Sequence, residues 1–195
     1  MMKLKNGDNE NGTGSNENCI ERLSKSNDFV HEHTSLRDDE PFWISYYRTL
    51  ISSDILHKDV LPYLHEHLSL EELKSRIPVQ EIIFTKDDDK IIQNILNGYL
   101  AIQMHQYDEE CLLINIANSK FRDVGMATME SSAIGPQIGF IEELDTNINL
   151  IRKRLPVPEL LVKEMKVGEI SKTRVAVLYM DGIADSENVN TVIQR

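Results

Sequence analysis

The sequence predicts an α/β fold built from two small α/β subdomains, the first of them incomplete, with a mixed sheet flanked by helices. Two features of the C-terminal half predict this class. Apolar residues recur at helical spacing between Ile141 and Leu155, which is the pattern of an amphipathic helix. The segment Val175–Met180 is apolar on both faces, as in a central strand that is covered on both sides.

Composition divides the chain into three parts. Residues 1–38 are rich in Asn, Gly, Ser, Asp and Glu and have few aliphatic residues, so they cannot bury enough apolar surface to offset the entropy lost on ordering. We therefore expect a disordered polar arm there. Residues 39–78 contain aromatic and aliphatic residues and predict a helical remnant of the first subdomain. Pro78 marks the next boundary, and residues 79–195 predict the second subdomain, truncated at its C-terminal end.

Short patterns predict the individual elements before residue 120. Four apolar residues at helical spacing predict a helix that is interrupted near Pro62, and they are Ile44, Tyr47, Ile51 and Ile55. After Pro78 we predict a strand at residues 81–84, a helix preceded by Asp87–Asp89 and ended by Gly98, and a β-hairpin whose strands flank the polar loop 107–110.

The helix between Ile141 and Leu155 has clear boundaries. Acidic residues stand early in it and basic residues late, as the helix dipole prefers, and Pro156 and Pro158 end it. After it we predict, in chain order, a strand at Leu160–Val167, the central strand Val175–Met180, a turn at Asp181 and Gly182, and a final helix of barely two turns capped by Asp185 or Ser186.

Composition also excludes several classes of protein. No apolar run approaches the roughly 18 residues needed to span a bilayer, and residues 1–18 lack the apolar segment of a secretory signal. The formal net charge of -11 argues against nucleic acid as a partner. The two cysteines, Cys19 and Cys111, do not make a disulfide framework, so a reducing, cytosolic environment fits best.

Two copies of the tripeptide His-Glu-His, at residues 31–33 and 65–67, are the candidate metal-binding motif. On a strand both rings would lie on one face and could bind a transition metal, whereas on a helix they diverge. Because the first copy falls in the predicted arm and the second in a helical context, we predict no metal site. Asp87–Asp89 could begin a calcium loop, but Ile92 and Gly98 stand where that loop needs glycine and glutamate, so helix capping is the better interpretation.

The sequence contains no catalytic or cofactor-binding constellation. The phosphate-loop, dinucleotide, G-x-S-x-G and H-E-x-x-H patterns are all absent. Cys111 lies in an apolar strand, where an inert core thiol is a better interpretation than a nucleophile. The basic run from Arg152 to Arg174 is better explained by a helix end and a solvated strand face than by contact with an anionic membrane or an acidic partner. We therefore predict a non-enzymatic protein that uses no cofactor.

Four segments between Ser132 and Asp185 carry a resemblance to a known family. They are the GPxxGF opening at 135–140, N-x-x-L-I-R-K-R-L-P at 147–156, V-G-x-x-S-K-T at 167–173 and V-A-V-L-Y-M-D-G-I-A at 175–184. Together they resemble the cytosolic part of GerA-family spore germinant receptor A subunits. The strong resemblance covers about a third of the chain, and a weaker one, carried by residues 51–69, reaches back to about Tyr46.

The resemblance implies a non-enzymatic subunit of a nutrient-sensing germinant receptor in the spore inner membrane, acting in receptor assembly and signal transmission. It implies B-type and C-type subunits as partners, together with further copies of the chain, and a soluble segment on the cytosolic side. Complete A subunits continue into a membrane-spanning bundle, so we expect a truncated member. The residues that match the recurrent pattern, and are candidates for motif or interface roles, are Gly135, Pro136, Gly139, Phe140, Asn147, Arg152, Arg154, Lys172 and Thr173.

The sequence departs from the family pattern at Gln137 and Ile138, where a charged pair is usual, and at Ile141, where Thr or Ser is usual. A second hypothesis comes from a different functional class. Two α/β subdomains joined by a hinge often bind ligands in the cleft between them, so a stand-alone small-ligand binding module is the alternative.

Overall fold

The computed structural model describes residues 18–34, 42–64, 68–118 and 139–194 of the chain. The strands are β1 (Phe29–His33), β2 (Trp43–Tyr47), β3 (Ile82–Thr85), β4 (Tyr99–Gln103), β5 (Cys111–Asn115), β6 (Leu160–Val167) and β7 (Thr173–Met180). The helices are α1 (Cys19–Ser24), α2 (Ser53–Ile55), α3 (Leu70–Arg76), α4 (Asp88–Leu96), α5 (Leu144–Arg154) and α6 (Ser186–Gln194). One π turn (Leu56–Val60) and one 3-10 turn (Leu61–Tyr63) continue α2. A five-stranded sheet has the order β1-β2-β4-β5-β3, and β6 pairs with β7 in a separate sheet.

Helices cover both faces of the five-stranded sheet. Successive residues of a strand point to opposite faces, so in β4 Leu100 and Ile102 join one core while Tyr99 and Ala101 join the other. The turns after α2 and helix α3 close the first core, and α1 and α4 close the second. The predicted α/β class with flanking helices is therefore confirmed. In one respect it is corrected, because every strand pairing among the described residues is antiparallel instead of mixed.

The strand, helix and hairpin predicted after Pro78 are all present. The carboxylate of Asp87 caps α4 by accepting the backbone N–H groups of Asp89 and Lys90 at 3.1 and 3.3 Å. Gly98 follows the helix with φ at +91°, and a Cβ there would lie 2.9 Å from the carbonyl oxygen of Leu50. Glycine is therefore required between α4 and β4.

The prediction of a disordered arm over residues 1–38 is wrong for residues 18–34. Helix α1 begins with a capping box, in which the side chain of Asn18 accepts the N–H of Ile20 at 2.9 Å and Glu21 accepts the N–H of Asn18. Ile20 and Leu23 have no exposed surface, and β1 pairs with β2 over five residues. The few apolar residues of this stretch are buried, except Val30, which is half-buried and packs against the first core. A low average apolar content therefore misled the prediction. Residues 1–17 and 35–38 lie outside the described residues.

The prediction of a helix from Ile44 to Ile55 is wrong for its first part. Trp43–Tyr47 forms β2, which pairs with β1 on one side and with β4 on the other. A sheet covered on both faces buries consecutive residues, so a short apolar stretch can satisfy helical spacing by chance. The pairing of β2 with β4 also brings strands from both sides of Pro78 into one sheet, so the packing does not divide at residue 78 as predicted.

Helix α5 is present where it was predicted, but it buries a polar side. Of the predicted apolar stripe, Ile148 is 1% exposed, whereas Ile141 is 39% and Leu155 is 48% exposed. The other buried residues of the helix are Thr146, Asn149 and Arg152. Hydrophobic spacing identified the helix correctly and assigned the wrong side of it to the core, because the contacts that hold α5 are polar.

Strand β6 is confirmed at its predicted bounds. Residues 175–180 form a strand as predicted, and β7 begins two residues earlier, at Thr173. However, within the described ranges β7 is not a central strand, because its one strand partner there is β6 and its side chains are exposed or half-buried. The predicted turn contains Gly182 at φ +75°, and Asp185 caps α6 by accepting the N–H of Asn188 at 2.9 Å. Helix α6 buries no residue. None of the helices in the described ranges has the length and apolar character that crossing a bilayer requires.

Candidate functional site

A buried polar cluster joins the five-stranded sheet to α5 and the β6–β7 hairpin. It lies where the loop after α1 meets the turn after β2, the middle of α5 and the start of β6. We call it the junction, and its side chains, all at most 5% exposed, are those of Ser26, Asp28, Tyr47, Thr49, Asn149 and Arg152. Burying charged groups is unfavourable unless they are paired and hydrogen-bonded, so the partners of Arg152 and Asp28 decide what this cluster does.

Arg152 and Asp28 form a fully buried bidentate ion pair. Nε of Arg152 donates to Oδ2 of Asp28 at 2.5 Å, and Nη2 donates to Oδ1 at 2.7 Å. Neither side chain has any exposed surface, and the two residues are 124 positions apart in the chain. A planar fork of donors that meets a carboxylate in this way fixes orientation as well as distance. The pair therefore holds α5 in one position against the loop that enters β1.

Ser26 extends the junction to β6. Its hydroxyl donates to Oδ1 of Asp28 at 2.7 Å and accepts hydrogen bonds from Nη2 of Arg152 and from the N–H of Val162, both at 2.8 Å. The neighbouring N–H of Asn27 donates to the carbonyl of Val162 at 2.9 Å. The Ser26–Asn27 loop thus contacts the edge of β6 much as a short additional strand would.

The turn after β2 completes the set of donors to Asp28. The hydroxyl of Thr49 donates to Oδ2 of Asp28 at 3.3 Å. Together with the two contacts from Arg152 and the one from Ser26, the carboxylate accepts four hydrogen bonds, which matches its lone-pair capacity. Nδ2 of Asn149 donates to the carbonyl of Thr49 at 2.5 Å, so α5 also contacts the turn directly.

Tyr47 forms one wall of the junction. The guanidinium carbon of Arg152 lies 3.9 Å from the centroid of the Tyr47 ring, a cation–π contact. Burial raises the pKa of Tyr47 to about 12, although the nearby Arg152 cation favours the phenolate, so the ring is a neutral phenol at neutral pH. Among the described residues, three buried junction atoms have no hydrogen-bond partner, namely Oη of Tyr47, Oδ1 of Asn149 and Nη1 of Arg152.

A chain of surface ion pairs runs beside the junction. Arg174 of β7 donates to Asp145 of α5 at 2.8 and 3.1 Å and to Glu164 of β6 at 3.0 Å, and Glu164 also pairs with Arg48. The hydrogen bond from Arg174 lowers the pKa of Asp145, and the bonds to Asp145 and Glu164 raise the pKa of Arg174. Arg174 and Asp145 are each more than 40% exposed, so water screens this contact and it stabilises less than the buried pair.

A polar cleft of about 290 Å³ opens next to the junction, between the turn after β2 and the start of α5. Its principal lining residues are Arg48, Thr49, Ser52, Asp54, Glu143 and Asp145. The volume is close to the lower end of the range for small-molecule pockets, about 300–1,000 Å³. The cleft could therefore hold a small polar molecule.

Of the seven predicted motif residues that the structure describes, Arg152 lies in the junction and the other six do not. Asn147 has a local task instead, because its Nδ2 donates to the carbonyl of Ile141 at 2.6 Å and its Oδ1 accepts the N–H of Ile141 at 2.9 Å. These two bonds close the loop that leads into α5. The departure at Ile141 leaves this contact intact, since only the backbone of Ile141 takes part.

The other predicted motif residues are spread over the surface or lie outside the described residues. Gly139 and Phe140 precede α5, and Phe140 is 72% exposed. Arg154 lies on the last turn of α5, beside Phe140. Lys172, at φ +45°, and Thr173 belong to the turn and the start of β7. Gly135, Pro136, Gln137 and Ile138 lie outside the described residues.

Sequence reasoning missed five junction residues, which are Ser26, Asp28, Tyr47, Thr49 and Asn149. The first two fall in the stretch predicted to be disordered, and Tyr47 was assigned to a helix. The capping box of Asn18 and Glu21, followed by the apolar pair Phe29 and Val30, was the available signal for ordered structure there. No pattern in the sequence indicated that Asp28 pairs with Arg152.

The first His-Glu-His copy lies on strand β1, not in a disordered arm. His31 is stacked between Trp43 and Tyr107 at 4.7 and 5.5 Å, and His33 packs edge-on against Trp43 at 5.1 Å. Nδ1 of His31 contacts the hydroxyl of Ser45 at 2.8 Å, and burial lowers the pKa of His31. Within the described ranges no group of three or more potential metal ligands comes together. Residues 65–67 lie outside those ranges.

The two cysteines are buried in the core between the sheet and α1 and α4. Burial, reinforced by the carboxylate of Asp88, raises the pKa of Cys19 to about 12, and burial raises the pKa of Cys111 further. Both thiols are therefore protonated and unreactive at neutral pH, as predicted for Cys111.

A comparison with family models identifies the chain. The family described as Bacillus/Clostridium GerA spore germination protein matches residues 17–195. Spore germination protein GerIA of Bacillus cereus is 48% identical over 176 residues, which are 89% of this chain and 26% of that protein. Spore germination protein GerQA of Bacillus cereus is 38% identical over 188 residues, 95% of this chain and 38% of that protein. The chain thus spans well under half the length of these relatives.

A solved structure shares the fold. The crystal structure of the N-terminal domain of the A subunit of the Bacillus megaterium spore germinant receptor GerK3 aligns with a TM-score of 0.62 at 20% identity, covering 91% of this chain and 67% of that one. The family match includes α1 and Asp28 as well as the C-terminal motifs. The chain therefore belongs to the GerA family of spore germination proteins.

Proposed function

We propose that this chain is a non-enzymatic subunit of a nutrient-sensing spore germinant receptor and acts in receptor assembly and signal transmission. The observation that carries the proposal is the buried Arg152–Asp28 pair, which connects α5 and the β6–β7 hairpin to the five-stranded sheet. The junction and the exposed ion pairs beside it are then a direct route by which a signal passes from one of these parts to the other.

The chemistry of the junction suits transmission better than catalysis. A buried ion pair contributes little net stability compared with apolar residues of the same volume, but it allows few alternative arrangements of the two parts. The junction offers no activated nucleophile, because its hydroxyls serve as hydrogen-bond donors to Asp28 and the phenol of Tyr47 stays protonated. Movement of α5 would instead require the five-stranded sheet to respond.

The partners and location follow from the family. We propose that the chain acts with B-type and C-type receptor subunits at the cytosolic side of the spore inner membrane. The exposed motif residues are then candidates for contacts with those subunits, and among the described residues they are Gly139, Phe140, Arg154, Lys172 and Thr173. Their scattered positions support several separate contacts better than one pocket.

The test is deletion of the coding region in the organism that produces the chain. We expect spores to lose the response to at least one nutrient in a panel of amino acids, sugars and nucleosides. A wild-type copy should restore it, and so should a copy with Lys166→Ala, an exposed position on β6. A copy with Arg152→Leu, expressed at the same level, should fail. Normal germination of the deletion strain with every nutrient would contradict the proposal.

The polar cleft favours a second candidate, a small-ligand binding module that works alone. A thermal-shift screen of the same nutrients separates the two functions. A ligand present at about 100 times its dissociation constant should add roughly 2.7 kcal/mol to the free energy of unfolding. Such a shift in wild type that Thr49→Val abolishes, combined with normal germination of the deletion strain, would favour the binding module.

A further inference from the structure

The ring of His31 is enclosed on both faces by aromatic rings. Trp43 stacks on one face with the ring centroids 4.7 Å apart, and Tyr107 stacks on the other at 5.5 Å. Trp43 is fixed in the sheet, because β2 pairs with β1 on one side and with β4 on the other. Tyr107 belongs instead to the loop 104–110 between β4 and β5 and is 37% exposed. The loop therefore supplies the movable cover of the His31 ring.

The two nitrogens of the His31 ring have different surroundings. Nδ1 contacts the hydroxyl of Ser45 at 2.8 Å, whereas Nε2 is buried and has no hydrogen-bond partner among the described residues. A neutral ring can leave Nε2 as an unprotonated acceptor, because Nδ1 then donates to Ser45. A protonated ring carries an N–H group at both nitrogens, so it would bury a charged donor that has no acceptor, which is unfavourable.

No carboxylate in the described ranges is placed to offset a charge on His31. Side chains alternate along β1, so Glu32 lies on the opposite face of the strand, where it contacts the hydroxyl of Tyr46. His33 lies on the same face as His31 and is itself a base, and the residues of β2 that face the ring are uncharged. The carboxylates of the loop lie near Lys86. Burial therefore lowers the pKa of His31 without a compensating charge. Besides Tyr107, the ionisable residues of the loop are His105, Asp108, Glu109 and Glu110.

The loop 104–110 is closed in a strained conformation. The N–H of Asp108 donates to the carbonyl of His105 at 3.2 Å, which closes a four-residue turn with Tyr107 in third place. Tyr107 has φ at +61°, a conformation that favours glycine or asparagine at this place of a turn. The stack with His31 and the bond from Nε2 of Gln103 to the carbonyl of Asp108, at 2.5 Å, help to hold the loop against this strain.

We propose that His31 is a proton-sensitive latch on the loop 104–110. The neutral ring holds Tyr107 in the closed loop, and a proton taken from water at Nε2 expels the ring from the stack, so that the loop opens. Two aromatic faces attract a cation, which opposes the release. However, a stacked ring would still leave the N–H at Nε2 without an acceptor. The latch uses β1, β2 and one loop, and it does not rest on the receptor role.

Fluorescence tests the latch, because Trp43 is the single tryptophan of the chain. As the pH falls from about 8 to about 5, the emission maximum should move to longer wavelength, since opening exposes the indole to water. The midpoint should lie below 6.5, the usual pKa of histidine. His31→Gln should abolish the shift, whereas the matched control His33→Gln, which removes another histidine that contacts Trp43, should keep it. Tyr107→Asn suits the turn but lacks the ring, so its emission should be shifted already at the highest pH.

Hydrogen exchange gives a second measurement of the same opening. After correction for the intrinsic rates, amides in residues 104–110 should exchange about tenfold faster for each pH unit below the midpoint, while those of β4 and β5 stay protected. Quenching of the emission without a wavelength shift, together with unchanged exchange, would show that the protonated ring stays in the stack and would overturn the proposal. So would a shift that survives His31→Gln, an emission that does not respond to pH, or a loss of the circular dichroism signal at the same midpoint, which would make the opening global.

Discussion

Arg152 and Asp28 have opposite charges and no exposed surface, and two hydrogen bonds join them, half of the four that the Asp28 carboxylate accepts. Arg152 could be singled out from the sequence, because it lies in a motif that resembles a known family. Asp28 could not, since the pairing of two residues 124 positions apart leaves no local pattern. The charge of Arg152 would ordinarily assign it to the solvent side of α5, and only the position of Asp28 reverses that assignment.

His31 gives the fold a pH dependence. Burial lowers its pKa below the usual value of 6.5, so the folded protein favours the neutral ring. The contribution of the neutral His31 ring to the free energy of unfolding is fully present above pH 6.5. It is lost as the pH falls below 6.5, because the histidine of the unfolded chain binds a proton at a higher pH than that of the folded chain. Between about pH 7.5 and about pH 5.5 the thermal midpoint of the wild type should fall further than that of His31→Gln. Equal slopes in calorimetric scans would show that this histidine does not contribute.

At the scale of elements, periodicity predicts that a helix exists better than it predicts which side is buried. Helix α5 was found from its apolar spacing, yet Thr146, Asn149 and Arg152 pack inward and Leu155 stays half-exposed. Similarly, β7 has the composition of a central strand, although in the described part of the chain it has one strand partner. In both cases the local pattern identifies the element, and burial depends on contacts that the pattern does not contain.

Substitutions on α5 test this assignment of sides. Ile148 is 1% exposed, so Ile148→Asp buries an unpaired charge and should lower the free energy of unfolding by about 3 kcal/mol or more. Leu155→Asp introduces the same group at the exposed end of the helix and should change the free energy of unfolding by no more than about 0.5 kcal/mol. Urea denaturation measures both values. Similar losses at the two positions would mean that α5 packs on its apolar stripe after all.

The turn between α4 and β4 is a second test at this scale. Gly98 and Gly182 both have positive φ, but a Cβ at Gly98 would lie 2.8 Å from Cβ of Ala117, whereas one at Gly182 meets nothing within 4 Å. Gly98→Ala should therefore lower the free energy of unfolding by about 2–3 kcal/mol, whereas Gly182→Ala should lower it by about 1 kcal/mol, from backbone strain alone. Thermal denaturation distinguishes them. If Gly182→Ala were the more harmful change, the close approach at Gly98 would not be a real constraint.

At the scale of the molecule, the described residues form a three-layer α/β unit and a smaller unit of α5, β6, β7 and α6 that rests on it through the junction. The α/β class could be predicted, because several helices and strands have clear local patterns. The boundaries could not, because β1 and β2 are short strands whose partners, not their composition, place them in the sheet. The stretch before Pro41 therefore matters more to the fold than its polar composition indicates.

Truncation from the N-terminus tests that conclusion. Removing residues 1–34 deletes α1, β1 and Asp28, so the shortened chain should lose its cooperative thermal transition. Removing residues 1–16, which precede the family match, should leave the midpoint nearly unchanged, because that polar composition cannot supply a core. A cooperative transition in the chain that lacks residues 1–34 would show that the sheet forms without its first strand.

The most direct test of the junction is a double-mutant cycle that measures the coupling free energy between Arg152 and Asp28. The variants are Arg152→Met, Asp28→Leu and the combination of both, each unfolded in urea. Each single substitution leaves a buried charge unpaired and should cost about 3–5 kcal/mol, whereas the double variant removes both charges. We therefore predict that the double variant loses at least about 2 kcal/mol less than the sum of the single losses. Losses that add within about 0.5 kcal/mol would contradict a junction held together by this ion pair.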